Sequence, residues 1–247
     1  MKSILILLII TTQTLFGLIS IAPVKIAEKP GLHGKISTSL QTRRGSTKKE
    51  SYKAAFRIAY DNNSTHVTWS EVSAEYGKSN DVEDTNRLYM HIRHIYALTE
   101  EVVRGEILGQ LQRDKFKLIR ERAITGLGLR LKAFELLESS KGYLGVGGFY
   151  ENINYTSDDA TENHIRGNSY FTYTSGFNEN SFSYTLYYQP LLDNFSDYIE
   201  SHKFQLKIHV FKKLSLSFKL SYDVDSKPPE GINKYDFYQE TSFVFEF

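Results

Sequence analysis

The last fourteen residues of the chain, 234–247, alternate between two kinds of side chain. One set is mostly aromatic: Tyr235, Phe237, Gln239, Thr241, Phe243, Phe245 and Phe247. The intervening set is mostly polar: Asp236, Tyr238, Glu240, Ser242, Val244 and Glu246. Successive side chains of a β-strand point to opposite faces of its sheet. This segment is therefore predicted to be a strand with one aromatic face and one polar face.

The same two-residue period recurs from residue 33 onward, in segments of about ten residues that are separated by turn residues. Twelve such segments are predicted, at 35–43, 50–60, 65–76, 86–98, 103–112, 118–134, 142–155, 166–177, 181–190, 197–211, 214–225 and 234–247. No apolar period of 3.6 residues persists long enough to indicate a helix. Alternating segments of this length, even in number, are typical of bacterial membrane barrels. The sequence therefore predicts an all-β fold, a single transmembrane, antiparallel, up-and-down β-barrel of about twelve strands.

The third segment has an inconsistent phase. Val67 and Trp69 fall on the face opposite Val72 and Tyr76. If all four side chains faced lipid, the strand would need a β-bulge, which inserts one residue and reverses the phase of the residues after it. A bulge is therefore predicted within residues 65–76.

Turn lengths predict an orientation in the membrane. The odd-numbered turns include the long polar stretches 77–84, 156–164 and 226–233, whereas the even-numbered turns are shorter, with 135–141 as an exception. Outer-membrane barrels have short periplasmic turns and longer outer loops. The pattern predicts that both ends of the barrel domain lie on the periplasmic side.

The N-terminal residues have the pattern of an export signal. Lys2 precedes an apolar stretch, and the small residues Ser20 and Ala22 follow it. These features indicate a secretory signal peptide. Polar residues at 11–14 argue against the alternative of an uncleaved anchor, because a spanning helix needs about 20 apolar residues. We expect a signal peptide at 1–22, a periplasmic lead at 23–32 and a barrel at 33–247, placed in the cell outer membrane.

Composition excludes several classes of function. The chain has no cysteine, so it has no disulfides, thiol catalysis or thiolate metal sites. Its formal net charge of +1 gives no general attraction for nucleic acid, and no nucleic-acid partner is expected. The 17 tyrosines and 16 phenylalanines would supply the aromatic girdles that barrels place at both membrane interfaces.

Charged side chains occupy the strand faces that we expect to point inward. The candidates for the lumen lining are Arg57, Arg87, Arg93, Arg104, Arg120, Arg122, Arg130, Lys203, Lys207, Lys219, Glu106, Asp223, Asp236 and Glu240. Rings of arginine and lysine favour anions, so one interpretation is a narrow, anion-preferring channel. The other is a lumen filled by ion pairs, since confined charges need partners. Strand number leaves both open, because twelve lies between filled barrels of about eight strands and open porins of about sixteen.

An enzyme embedded in the barrel is a further alternative. An esterase that acts on lipid needs a serine beside a histidine base. None of the seven histidines is followed two residues later by a serine, the spacing that would place both on one strand face. We therefore predict no catalytic residues, and keep a lipid-modifying enzyme only as the alternative function.

Acidic residues and glycines form two other groups that could suggest ligand sites. The loop acids are Asp81, Glu83 and Asp84, with Asp158, Asp159 and Glu162. Their spacing does not match a calcium-binding EF-hand loop, so we predict no metal ion and no cofactor.

The glycines are Gly126, Gly128, Gly145, Gly147 and Gly148. They lack the strand-to-helix context of a phosphate loop, and a close approach of backbones or a bend is expected instead.

Several stretches resemble the DUF481 family, whose members include an outer-membrane protein described as salt-induced. The best match is 222–236, with its Pro228-Pro229-Glu230-Gly231, followed by the final aromatic strand. Supporting stretches are His91-Ile92-Arg93-His94, Arg120-Glu121-Arg122 leading to Gly126-Leu127-Gly128, and Gly147-Gly148-Phe149-Tyr150-Glu151. The resemblance covers most of residues 33–247.

The resemblance implies an outer-membrane barrel without an established activity. To the two interpretations of the lumen, a narrow passive channel or a structural envelope protein, it adds a link to salt or osmotic stress. Such a protein would contact outer-membrane lipid and lipopolysaccharide, and would pass small ions or solutes if it is a pore. Its Phe247 is similar to the assembly signal that the barrel-assembly machinery of the outer membrane uses.

Overall fold

A computed structural model of the chain describes residues 30–43, 49–99, 102–137, 139–156 and 161–247. Over these ranges the chain forms twelve antiparallel strands, each paired with its neighbours in sequence, and β1 pairs with β12 to close a barrel. The strands are β1 (Gly31–Arg43), β2 (Lys49–Asp61), β3 (His66–Ser79), β4 (Val82–Ala97), β5 (Val103–Asp114), β6 (Ile119–Leu137), β7 (Ser140–Tyr155), β8 (Thr161–Phe177), β9 (Asn180–Leu191), β10 (Asn194–Phe211), β11 (Leu214–Asp225) and β12 (Tyr235–Glu246). A 3₁₀ helix, Lys115–Lys117, lies between β5 and β6. The predicted fold class and strand number are confirmed.

The predicted signal peptide at 1–22 lies outside the described residues, as does most of the predicted lead at 23–32. β1 begins at Gly31, so the last two residues of the predicted lead are part of the barrel. The described part of the chain contains no helix with the length and hydropathy of a transmembrane segment.

The outer surface of the barrel is apolar. On β4, Leu88, Met90 and Ile92 are 46–52% exposed, whereas the intervening Tyr89 and His91 are at most 7% exposed. The two-residue period therefore separates an outward apolar face from a buried inward face. In a closed sheet every backbone group of the spanning segment has a partner, which is the condition for placing strands in hydrocarbon.

The prediction of a bulge within residues 65–76 is wrong. β3 pairs with β2 in one unbroken register, from Lys49↔Ser79 to Asp61↔Val67. Val67 and Trp69 are buried inside the barrel, and Tyr76 on the opposite face is exposed. No bulge is needed to explain why apolar residues occur on both faces of β3, because the interior also contains apolar side chains. Val67 packs against Ile95, and Trp69 joins a cluster of buried apolar side chains.

Two of the predicted long turns are tight hairpins. Only residues 80–81 connect β3 to β4, and only 138–139 connect β6 to β7. The predicted turns at 77–84 and 135–141 are therefore too long, because polar residues there continue the strand pairing. Glu135, for example, is the register partner of Lys141 and forms an ion pair with it at 2.9 Å. The connection at 226–234 is the longest between the described strands.

Candidate functional site in the barrel interior

The interior contains an ionic cluster around Glu106 of β5, which is 5% exposed. A guanidinium nitrogen of Arg93 lies 3.2 Å from Glu106 Oε2, and one of Arg130 lies 2.6 Å from Oε1. The Tyr170 hydroxyl donates to Glu106 Oε2 at 2.8 Å and accepts from Arg130 Nε at 2.9 Å. This arrangement satisfies the buried carboxylate with two cations and a hydroxyl, as a charge removed from water requires.

Aromatic rings extend this cluster through the interior. The ring of Tyr170 lies 5.4 Å from that of Tyr187 on β9, and Tyr187 is fully buried. On β3, Trp69 stacks on His91 at 4.7 Å and lies 4.3 Å from the guanidinium of Arg57. We name as the interior partition the residues Trp69, Arg93, Glu106, Arg130, Tyr170 and Tyr187. Its members come from β3, β4, β5, β6, β8 and β9 and are at most 6% exposed, so they fill this half of the barrel.

The half of the interior formed by β10, β11, β12, β1 and β2 contains partly exposed lysines. Lys53 and Lys219 both form ion pairs with Glu240, the second at 3.7 Å, and Lys207 pairs with Glu246 at 2.7 Å. These three lysine side chains keep 22–38% of their surface exposed, and we name them the lysine wall. Small interior residues, Ser217 and Ser242 among them, accompany the lysines on these strands. This half of the interior is therefore lined by polar side chains, among them partly exposed cations.

One end of the barrel carries the 3₁₀ helix and the β7–β8 and β11–β12 connections, and we name it the loop mouth. Just inside it, Glu151 of β7 joins two arginines: Arg122 contacts Oε1, and Arg166 Nε donates to Oε2 at 2.9 Å. Arg166 also donates to Asp197 of β10 at 2.9 Å. These pairs link β6, β7, β8 and β10 through charges of compensating sign, of which only Asp197 is partly exposed.

The 3₁₀ helix brings one more cation into the loop mouth. Asp114 caps the helix by accepting a hydrogen bond from the Phe116 N–H at 3.2 Å. Leu118, at φ 60°, reverses the chain after the helix. Lys117 is thereby turned inward, and its ammonium pairs with Asp236 of β12 at 2.9 Å, with both side chains at most 3% exposed. Since β12 is five strands from β5 around the barrel, this ion pair spans the interior.

Most of the predicted lumen residues have side chains on the inward face. They are Arg57, Arg87, Arg93, Arg104, Arg122, Arg130, Lys203, Lys207, Lys219, Glu106, Asp223, Asp236 and Glu240. Arg87 pairs with Asp114 at 2.8 Å, and Asp223 accepts a hydrogen bond from Ser201. The structure thus brings these residues together in the interior, where most of them form ion pairs, and their role in solute passage stays a prediction.

Arg120 is exposed rather than inward-facing, and its assignment to the lumen is wrong. The pairing of β6 with β7 shifts register between Ile119 and Glu121. As a result Ile119 and Arg122 are both buried, whereas Arg120 and Glu121 are both exposed. The prediction assumed that Arg120, two residues before Arg122, lies on the same face. The bulge between Ile119 and Glu121 adds one residue to β6, so the assumption fails here.

Several residues of the interior were not predicted from the sequence. Tyr187 lies between Leu186 and Tyr188 in a segment with a two-residue period, so its inward position could have been inferred. Arg166 and Tyr170 likewise share a two-residue period along β8. No comparable signal exists for Lys117, because its direction depends on the 3₁₀ turn rather than on a strand.

The loop acids make ordinary polar contacts where they are described. Glu83 lies 2.7 Å from the Lys115 ammonium, and Asp84 lies 3.2 Å from that of Lys49. Asp158 and Asp159 lie outside the described residues. Within the described ranges, no group of three histidine or acidic side chains is arranged to hold a metal ion.

Residues 36–247 match a family described as a protein of unknown function, DUF481. The chain belongs to the DUF481 family. The match extends from β1 to the end of the chain and so includes the partition, the lysine wall and the loop mouth of this DUF481 barrel. No curated protein matches the sequence.

Solved outer-membrane proteins share the fold of this DUF481 barrel. An outer-membrane channel from Pseudomonas putida F1 aligns over 92% of the chain and 100% of its own, with a TM-score of 0.57 and 12% identity. The NanC porin aligns over 86% and 98%, with a TM-score of 0.53 and 10% identity. The translocator domain of the autotransporter NalP from Neisseria meningitidis aligns over 88% of each chain, with a TM-score of 0.51 and 10% identity. At these identities the likeness establishes the barrel fold, and the function has to be argued from the site.

Proposed function

We propose that this DUF481 protein is an outer-membrane envelope protein whose lumen is closed by its own side chains. The apolar outward face and the fold shared with outer-membrane barrels support the location. One observation carries the closed lumen, namely that the interior partition draws buried side chains from six strands. An open porin instead keeps a polar, water-filled interior.

The lysine wall favours a second candidate, a narrow anion-preferring channel. Lys219 retains 38% of its side-chain surface, and Lys53 and Lys207 are also partly exposed. Exposed ammonium groups along one wall would attract anions and repel cations. Such a path would run beside β10 to β12, away from the partition.

Planar-bilayer recording separates the two candidates. The refolded wild-type protein, shown to be folded by its heat-modifiable migration on gels, is expected to give no single-channel steps. Defined anion-selective steps would contradict the closed lumen. If they also shrink in Lys219→Gln but not in the control Lys213→Gln, which alters an exposed turn residue, the lysine wall is the conducting path.

The family includes an outer-membrane protein described as salt-induced, and we therefore extend the proposal to a role in salt or osmotic stress. An ion-paired barrel would then contribute to the integrity of the envelope when external salt changes. A strain that lacks the protein is expected to grow more slowly than its parent at raised salt, and at the same rate at low salt. Equal growth at all salt concentrations would remove this part of the proposal.

The surroundings of His202 are relevant to the alternative of a lipid-modifying enzyme. His202 lies on the outer face, with Nε2 2.6 Å from Glu200 and Nδ1 2.7 Å from the Tyr184 hydroxyl. Both ring nitrogens therefore already have partners, and neither partner is a serine. This arrangement does not favour acyl transfer by a serine–histidine pair, and we propose no enzymatic activity.

A further inference from the structure

A cavity of about 100 Å³ lies just inside the loop mouth. Its polar wall includes Gln112, Arg122, Glu151 and Arg166, and Pro229 and Ile232 of the β11–β12 connection form its roof. No member of the interior partition or of the lysine wall lines it. The cavity is therefore separate from both structures on which the proposed function depends.

The roof is tied to the barrel at its base. The Ser226 N–H donates to the Tyr198 carbonyl at 3.0 Å, and the Tyr198 N–H donates to Ser226 Oγ at 2.7 Å. Within the connection, the Ile232 N–H donates to the Pro229 carbonyl at 3.1 Å. These bonds hold the connection over the cavity, so its roof is a defined surface.

Most of the charges around the cavity are paired within the protein. Each oxygen of Glu151 contacts one arginine, and Arg166 also reaches Asp197. Lys117 is paired with Asp236. An ion that entered the cavity would have to compete with these pairs, whereas a neutral molecule would leave them intact.

Gln112 is the feature that points to a ligand. Its side chain lines the cavity and is 3% exposed, yet neither its amide nitrogen nor its amide oxygen has a hydrogen-bond partner within the protein. Buried polar groups are hydrogen-bonded in nearly all proteins. A primary amide presents a donor beside an acceptor, which is complementary to a second amide.

We propose that this cavity binds a small neutral carboxamide through paired hydrogen bonds to Gln112. Isoleucines at 119, 153 and 199 supply an apolar wall for the carbon atoms of the ligand. The volume suits a molecule of about four heavy atoms, since an engineered cavity of about 150 Å³ accommodates benzene. This binding site is independent of whether the lumen conducts.

Acetamide and acetone form a matched pair of probes, because they have the same number of heavy atoms and only acetamide has N–H donors. Saturation-transfer NMR on the full chain refolded in detergent should show transfer to the acetamide methyl group and much less to acetone. Gln112→Leu is expected to weaken acetamide binding by about tenfold, through loss of the hydrogen bonds. Gln239→Leu, an exposed residue on the outward face of β12, is the control and should bind as the wild type does.

Equal transfer to both probes, or transfer that persists in Gln112→Leu, would show partition into detergent and overturn the proposal. If Gln112→Leu does not fold, Ile232→Cys tests the same cavity from its roof. The natural chain has no cysteine, so a bulky thiol reagent would react only there. The label is expected to abolish transfer to acetamide, and acetamide is expected to slow the labelling. Unchanged transfer after labelling would also overturn the proposal.

Discussion

Replacing Glu106 with alanine is expected to lower the free energy of unfolding by about 3–5 kcal/mol, the range found when one partner is removed from a buried ion pair. The substitution removes the carboxylate that Arg93 and Arg130 share and that accepts the Tyr170 hydroxyl. Two guanidinium groups of the partition then remain in a space without the charge that compensates them. Urea titration of the protein refolded into lipid vesicles measures the difference.

Two further variants test whether loss of the buried ion pairs causes the destabilisation. Glu179→Ala removes a carboxylate of which 75% is exposed and which lies 3.4 Å from His209, so it should change stability by less than about 1 kcal/mol. Glu106→Gln keeps the shape and one acceptor of the side chain and should fall between the two. If Glu106→Ala is no more harmful than Glu179→Ala, the partition does not stabilise the barrel.

Replacing Gly147 with alanine is expected to destabilise the barrel by about 3 kcal/mol, at the upper end of the usual range for overpacking. A Cβ at this position would lie 2.3 Å from the Leu127 carbonyl oxygen and 2.6 Å from the Gly128 Cα. Both are backbone atoms of β6, so no side-chain rotation relieves the contact and the two strands must separate. The temperature at which the folded form disappears on gels should fall markedly.

Gly105→Ala is the matched control for this substitution. There a Cβ would meet only Leu98, at 3.6 Å or more, which is ordinary van der Waals contact. An unchanged unfolding temperature in both variants would mean that β6 and β7 are not held as closely as the structure has them.

The fold was predictable from the sequence because lipid imposes one rule on every strand. Each second side chain must suit hydrocarbon, and the final strand displays that rule from Tyr235 to Phe247. The interior follows no such rule, since it accepts any side chain that finds a partner. The bulge predicted near Trp69 was therefore not needed, because the interior accepts this large apolar side chain.

The remaining errors have local causes. Arg120 was misplaced because a bulge changes the count of residues without any distinctive residue to mark it. Lys117 was not recognised because a 3₁₀ turn and the positive φ of Leu118, rather than a strand period, set its direction. The cavity beside Gln112 required the β11–β12 connection to be placed in space, and sequence alone gives its length but not its path.

The ion pairs of β12 couple closure of the barrel to the electrostatics of its interior. Asp236 pairs with Lys117, Glu240 pairs with Lys53 and Lys219, and Glu246 pairs with Lys207. Three carboxylates of one strand thus serve four ammonium groups that come from β2, β10, β11 and the 3₁₀ helix. A sheet that closed without β12 would lose these three negative charges from its interior, and mutual repulsion among the lysines would oppose such an incomplete barrel.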